Sequence, residues 1–95
     1  MSTARWTVPV DHPAFAGHFP GRPIVPGVVL LDKLVQAVEA GGRKVKAIGS
    51  AKFLSPVGPG ATLEFTWAPA TRGLRFDIAC AGVAVATGAL TLAEA

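Results

Sequence analysis

The chain has 95 residues, of which 51% are hydrophobic and 16% are charged. This length fits one domain, and the hydrophobic fraction excludes intrinsic disorder, which requires low hydrophobicity and high charge. A monomer of this size buries only roughly 60–65% of its unfolded surface, so a chain this hydrophobic predicts further burial against a second copy or an apolar ligand. We therefore expect one domain, residues 1–95, that forms a homodimer or a higher assembly of dimers.

The charge pattern and the cysteine content narrow the class of protein. The net charge is +3, and the Lys and Arg residues are dispersed without aromatic interleaving, so nucleic-acid binding is not indicated. The longest uncharged stretch, 78–93, is shorter than the ~20 residues that cross a bilayer. Residues 1–9 lack the apolar core of a signal peptide, and Cys80 alone forms neither an internal disulfide nor a cysteine zinc cluster. These features predict a cytoplasmic protein without a membrane span.

The first two segments are a strand and a stiff loop. Alternation at Trp6, Val8 and Val10 indicates a short strand, and Pro9 places it at a sheet edge or at a bulge. The density of Pro and Gly in 11–27 excludes a helix or a central strand. Each proline fixes its own φ and restricts the preceding residue, so this loop is predicted to be stiff.

One helix is predicted over Val28–Ala40, and the glycine pair 41–42 ends it. Apolar residues cover most of its circumference, which predicts a helix buried by the rest of the fold. Its polar residues Asp32, Gln36 and Glu39 share one narrow stripe. A buried Asp32 carboxylate would be unfavourable unless it were paired or functional, whereas on a surface helix the same stripe is simply solvated.

The remaining sequence predicts strands over 44–53, 62–67, 74–80 and 83–92. Turns rich in Pro or Gly separate them, and three or four such strands form an antiparallel meander. The predicted fold class is therefore α+β, with a curved antiparallel sheet wrapped around one central helix.

The stiff loop contains two histidines, His12 and His18. A histidine in a loop is usually structural or solvated, and we assign no role to His12. His18 precedes Phe19 and three prolines, which would reduce hydration of the imidazole and keep it neutral near pH 7, able to act as a base. His18 and Asp32 are therefore candidates for an acid–base pair.

The segment 18–27, HFPGRPIVPG, followed by Asp32 and Gln36, resembles the 3-hydroxyacyl-[acyl-carrier-protein] dehydratases of fatty-acid biosynthesis. A looser similarity continues through 52–60, KFLSPVGPG. These enzymes have the hot-dog fold, in which a sheet wraps a central helix, and the predicted order of elements agrees with it. The resemblance implies a lyase that removes water from a 3-hydroxyacyl thioester and gives the trans-2-enoyl thioester.

The resemblance also implies roles for single residues. His18 matches the catalytic histidine, and Asp32 matches an acid that is Glu in the common form and Asp in the form that also isomerises the product. Gln36 matches a glutamine of the same site and is expected to bind substrate, and Gly27 matches a glycine whose N–H faces the thioester carbonyl. In this family the histidine and the acid belong to different protomers, which agrees with the dimer expected from hydrophobicity.

The location of the acyl groove and the identity of the carrier are predicted from residue composition. We expect the groove beside four apolar residues, Phe19, Val28, Leu31 and Phe53. Acyl carrier proteins are strongly acidic, so basic side chains near the groove entrance would bind a carrier protein electrostatically. The same side chains would suit the phosphates of coenzyme A. The candidates are Arg22, Arg43, Lys44 and Lys46. No metal site is visible in the sequence, and elimination of water needs no redox cofactor.

Two other functions are compatible with these residues. The same fold serves acyl thioesterases, in which a carboxylate on the central helix acts in hydrolysis, although the His18 loop favours the dehydratase branch. The other alternative is a non-catalytic subunit for dimerisation or acyl binding. The presence of both His18 and Asp32 weighs against that alternative.

Overall fold

The computed structural model describes residues 1–11 and 24–93. This part of the chain forms, in order, β1 (Ser2–Thr7), α1 (Gly27–Ala40), β2 (Val45–Phe53), β3 (Thr62–Ala70), β4 (Gly73–Cys80) and β5 (Val83–Leu92). The strands make one antiparallel sheet in the order β1-β3-β4-β5-β2, and α1 packs on one of its faces. The predicted α+β class is confirmed.

The sheet is a meander only in part. Strands β3, β4 and β5 follow one another as predicted, whereas β2 crosses to the far edge and pairs with β5. The register between β2 and β5 shifts twice, between Val45 and Ala47 and between Ile48 and Ser50. Strand β5 is therefore internal, and β1 and β2 are the two edges.

Strand β1 begins and ends earlier than the alternation predicted. Val8 is buried and still exchanges backbone hydrogen bonds with the loop before β3, since its N–H donates to Ala61 and its carbonyl accepts from Gly60. Beyond it, Pro9 has no N–H to continue the pairing, and Val10 is 75% exposed. The expectation that Val10 belongs to the strand is wrong, while the edge position indicated by Pro9 is confirmed.

Alternate residues of the central strands form the core, as their periodicity predicted. Leu63, Phe65 and Trp67 of β3 face the same side as Leu74, Phe76 and Ile78 of β4, and all six are buried. Strand β3 extends three residues further than predicted, to Ala70. Pro69 is tolerated there because the pairing of β1 with β3 ends at Ser2 opposite Trp67.

Helix α1 is buried on one face. Leu30, Leu34 and Val38 are buried against the sheet, whereas Val28 is 72% exposed and the stripe of Asp32, Gln36 and Glu39 is exposed. The prediction of a helix buried nearly all round is wrong for the chain by itself, because the sheet covers one side only.

Two side-chain contacts connect α1 to the edge strands. The Lys33 ammonium lies 5.0 Å from the centroid of the Trp6 ring on β1, a cation–π contact. At the other end of the helix, the Glu39 carboxylate accepts a hydrogen bond from the Val45 N–H at 3.2 Å. These contacts place α1 between the first residues of β2 and the C-terminal end of β1.

The turn between β4 and β5 contains a residue that its backbone disfavours. Ala81 has φ 50° and Gly82 has φ 80°, and together they join the paired residues Cys80 and Val83. Two-residue hairpin turns with positive φ at both positions favour Asn-Gly, because an alanine side chain is strained there. We expect Ala81→Asn to raise the free energy of unfolding by about 1 kcal/mol.

Thermal unfolding followed by circular dichroism checks this expectation, with a rise in Tm of about 4–8 °C for each kcal/mol. Gly82→Ala is the matched control and should lower the Tm, since it adds strain in the same turn. An unchanged Tm for Ala81→Asn would contradict the strain assigned to Ala81.

Candidate active site at the N-terminus of α1

The N-terminus of α1 carries no side-chain cap. Pro26 occupies the N-cap position and makes no side-chain hydrogen bond, and no acidic residue lies in the first turn. The first N–H groups of a helix have no intrahelical acceptor, and the helix dipole gives this end a partial positive charge. No described residue accepts a hydrogen bond from the Gly27 N–H. This end of the helix is therefore suited to bind an oxygen that develops negative charge.

An apolar cavity of about 350 Å³ opens beside this N-terminus. One wall comes from Ile24 to Leu30 and the other from Phe53 to Val57. A hydrogen bond from the Val25 N–H to the Val57 carbonyl, 2.7 Å long, ties the two walls together. The shape and the apolar lining suit a hydrocarbon chain whose polar end lies at Gly27.

The ring of Phe53 lies directly against Gly27. Three of its ring atoms are 2.5–3.0 Å from the position that a Cβ atom on residue 27 would occupy. A Cβ at residue 27 would therefore displace the ring of Phe53, independently of any catalytic role. Phe53 itself is 50% exposed, so its ring forms both a wall of the cavity and part of the surface.

Of the residues expected beside an acyl groove, Phe53 lines this cavity, whereas Val28 and Leu31 do not. Val28 is exposed because it directly follows Gly27 and so lies on a different face of α1. Phe19 lies outside the described residues.

Asp32 and Gln36 form a pair on the exposed stripe of α1. The Gln36 side-chain amide donates a hydrogen bond to Asp32 Oδ2 at 2.8 Å, as their spacing of four residues permits. The expected burial of Asp32 is wrong, since its side chain is exposed in the single chain. From Gly27, Asp32 lies about 7.5 Å along the helix axis and about 140° around it. The carboxylate therefore does not line the cavity of its own chain.

The remaining predicted residues divide into two groups. Those of the stiff loop, His12, His18, Phe19 and Arg22, lie outside the described residues, so their roles stay predictions. Arg43, Lys44 and Lys46 follow the C-terminus of α1, about 20 Å from Gly27 along a helix of this length. Within one chain they do not lie at the mouth of the cavity. The sequence reasoning overlooked Lys52, which is exposed and directly precedes the cavity wall at Phe53.

Across residues 1–11 and 24–93, no three His, Cys, Asp or Glu side chains come together as a metal site. No helix in those same ranges has the length and hydrophobicity needed to cross a membrane. Cys80 is a partly buried free thiol on β4.

The fold is that of a hot-dog protein, and sequence comparison identifies its family. Residues 1–89 match the protein-family model described as ApeI-like, ApeI dehydratase. The chain is also 39% identical, over 95 aligned positions, to the 3-hydroxyacyl-[acyl-carrier-protein] dehydratase FabZ of Chlamydia trachomatis. That alignment covers 83% of this chain and 62% of the relative, so the chain spans about three fifths of the relative's length. The chain belongs to the ApeI-like dehydratase family.

Solved structures confirm the hot-dog fold. The dehydratase heterocomplex ApeI:P from Xenorhabdus doucetiae superimposes with a TM-score of 0.78 at 26% identity, covering 97% of this chain and 86% of that chain. A mutant of the fluoroacetyl-CoA-specific thioesterase FlK superimposes with a TM-score of 0.73 at 15% identity, covering 95% and 84%. The second similarity shows the fold alone, and it illustrates that one scaffold carries different thioester chemistry.

Proposed function

We propose that this chain dehydrates 3-hydroxyacyl thioesters to trans-2-enoyl thioesters and catalyses the reverse hydration. The observation that carries the proposal is the uncapped N-terminus of α1, which opens onto an apolar cavity at Gly27. Membership in a dehydratase family supports it. The cavity accounts for the acyl chain, and the helix terminus accounts for the thioester oxygen.

Elimination of water requires a base for the proton on C2 and an acid for the hydroxyl on C3. In the proposed mechanism His18 removes the C2 proton, and Asp32 of the partner subunit protonates the leaving hydroxyl, directly or through a water molecule. The C2–H and C3–O bonds break, a C2=C3 double bond forms, and water departs. The Gly27 N–H stabilises negative charge on the thioester oxygen, assisted by the helix dipole.

Gln36 contributes through Asp32 in this proposal, rather than by binding substrate as the sequence suggested. Its amide donates to Oδ2 of Asp32. That contact leaves Oδ1 available to carry the proton toward the substrate. Gln36 is therefore proposed as a positioning residue that fixes which carboxyl oxygen faces the reaction.

A homodimer with shared sites is the proposed assembly. Nearly all of β2 is exposed, including Ile48 at 44%, and as an edge strand it offers unpaired backbone groups. Asp32 is exposed and turned away from the cavity of its own chain, so a cavity completed by the carboxylate of a second chain satisfies both observations. The similar structure from Xenorhabdus doucetiae is a heterocomplex, so a different chain is the alternative partner.

The decisive experiment follows the enoyl-thioester absorbance while the purified protein is mixed with a short trans-2-enoyl thioester in water. Loss of the band with formation of the 3-hydroxyacyl product supports the proposal. Loss of the band with release of free thiol identifies a thioesterase instead. No change across several chain lengths and both carriers identifies a non-catalytic acyl-binding or dimerisation subunit.

The same assay distinguishes the carriers. We propose acyl carrier protein as the carrier, docked by exposed cations such as Lys52. Docking of an acidic protein weakens as salt screens the charges. We expect kcat/KM to be higher for the carrier-protein thioester than for the coenzyme A thioester at low salt. Added salt should lower the value for the carrier-protein thioester toward the coenzyme A value. A preference for the carrier protein that does not depend on salt contradicts electrostatic docking.

A further inference from the structure

The ring of Phe53 covers the end of α1 at which no described residue accepts a hydrogen bond from the Gly27 N–H. Its ring atoms lie 2.5–3.0 Å from the place that a Cβ on residue 27 would take. Cα–Cβ bonds in a helix tilt toward the N-terminus, so a group near that place lies over the N-terminal end of the helix. The ring and the Gly27 N–H therefore border the same small volume.

The backbone beneath Phe53 is held firmly, so the ring itself determines the width of this volume. Phe53 is the last residue of β2 and lies opposite Ala86 of β5. The next residue, Leu54, donates its N–H to the Val85 carbonyl at 2.8 Å. A change at position 53 consequently alters the wall of the cavity without moving the strand.

We propose that Phe53 is a specificity-determining residue that excludes substituents on C2 of the acyl chain. This inference rests on the proposed function, in which the thioester oxygen accepts from Gly27 at about 2.9 Å. The carbon next to that carbonyl then lies about 5 Å from the Gly27 nitrogen, within the volume that the ring borders. The chain therefore takes straight-chain acyl thioesters and rejects those with a methyl group on C2.

The test compares hydration of a trans-2-enoyl thioester with that of its 2-methyl analogue. One methyl group in an apolar pocket changes kcat/KM by roughly 10–200-fold. We therefore expect wild type to favour the straight-chain substrate by about 10-fold or more in kcat/KM. Phe53→Ala is expected to reduce that preference by about 10-fold. Leu54→Ala is the matched control, because Leu54 lines the same cavity whereas the three atoms nearest to a Cβ on residue 27 all belong to Phe53. The ratio for this control is expected to stay within about threefold of wild type.

A binding measurement keeps the inference testable without turnover. Calorimetric titration measures the affinities for butanoyl-pantetheine and 2-methylbutanoyl-pantetheine. The ratio of these two affinities is expected to favour the straight-chain compound in wild type and to fall in Phe53→Ala. If turnover is absent but this dependence is present, the proposed reaction fails and the role of Phe53 stands. An affinity ratio that Phe53→Ala leaves at the wild-type value, in a protein of unchanged Tm, overturns the inference.

Two further substitutions distinguish an effect on specificity from a loss of folding. Phe53→Leu keeps an apolar side chain and is expected to give an intermediate ratio. Gly27→Ala forces the ring of Phe53 to move and is expected to weaken binding of the straight-chain thioester, whereas the double variant Gly27→Ala with Phe53→Ala regains it because the added methyl group has room. Failure of the second substitution to restore binding counts against the contact between residues 27 and 53 as the determinant.

Discussion

Replacement of His18 by alanine is expected to lower kcat for enoyl-thioester hydration by roughly 10²–10⁴-fold, the usual contribution of a positioned general base. The reason is that no other group in the proposed site removes the C2 proton. The fold should persist, because α1 and the sheet already form a buried core among the described residues, to which Leu34 and Phe76 contribute. The measurement is the enoyl absorbance assay, with circular dichroism and size-exclusion chromatography on the same preparation.

The chain offers a matched control for this variant. His12 lies in the same loop and has no assigned role, so His12→Ala is expected to keep kcat within about twofold of wild type. Turnover by His18→Ala at the wild-type rate, on a substrate that wild type accepts, excludes the role given to His18.

Asp32→Asn is the second substitution for which we expect a large effect, again a loss of roughly 10²–10⁴-fold in kcat. The amide cannot donate the proton that the leaving hydroxyl needs. Stability should change little, because Asp32 is exposed and an asparagine oxygen still accepts the Gln36 hydrogen bond. Hydration kinetics and thermal unfolding separate the two effects.

Glu39→Gln provides the control on the same exposed stripe of α1. It removes a carboxylate while keeping an acceptor for the Val45 N–H, and its kcat is expected to stay within about twofold of wild type. An equal loss of kcat in Asp32→Asn and Glu39→Gln would indicate that the net charge of this helix face matters, rather than Asp32 as a specific acid.

The two inactive variants together test the shared site. If each site takes His18 from one protomer and Asp32 from the other, mixed dimers of His18→Ala and Asp32→Asn contain one intact site. Random exchange of subunits then restores about one quarter of the wild-type activity. Exchange without any recovery, with mixed dimers demonstrated by mass spectrometry, would place both residues of a site in one chain.

The sequence predicted most of the architecture because its periodicities are local. The bounds of β5 are those predicted, and α1 begins one residue early, at Gly27. The position of β2 was not predictable from a local pattern, since its pairing with β5 depends on segments far apart in the chain. The exposure of one face of α1 was missed for a related reason, because apolar residues around a helix indicate burial without indicating which molecule supplies it.

The candidate site was predictable in part. Spacing alone placed Asp32 and Gln36 on one stripe, and the structure adds the hydrogen bond between them. The approach of Phe53 to Gly27 joins residues from two elements and has no signature in either segment. Within one chain, Arg43 and Lys44 follow the end of α1 that is remote from the cavity, a separation that no local pattern in the sequence shows.

The crossing of β2 to the far edge has a consequence for folding. Strand β2 is complete long before β5, its partner, and a ribosome delivers the chain in that order. Until β5 has been synthesised, β2 and the cavity wall at its C-terminal end have no strand to pair with. The pairing of β2 with β5 joins segments far apart in the sequence, and non-local pairing of this kind is slow. The cavity beside Gly27 is therefore expected to be among the last features to form, because its wall at Phe53 depends on β5, which begins only at Val83.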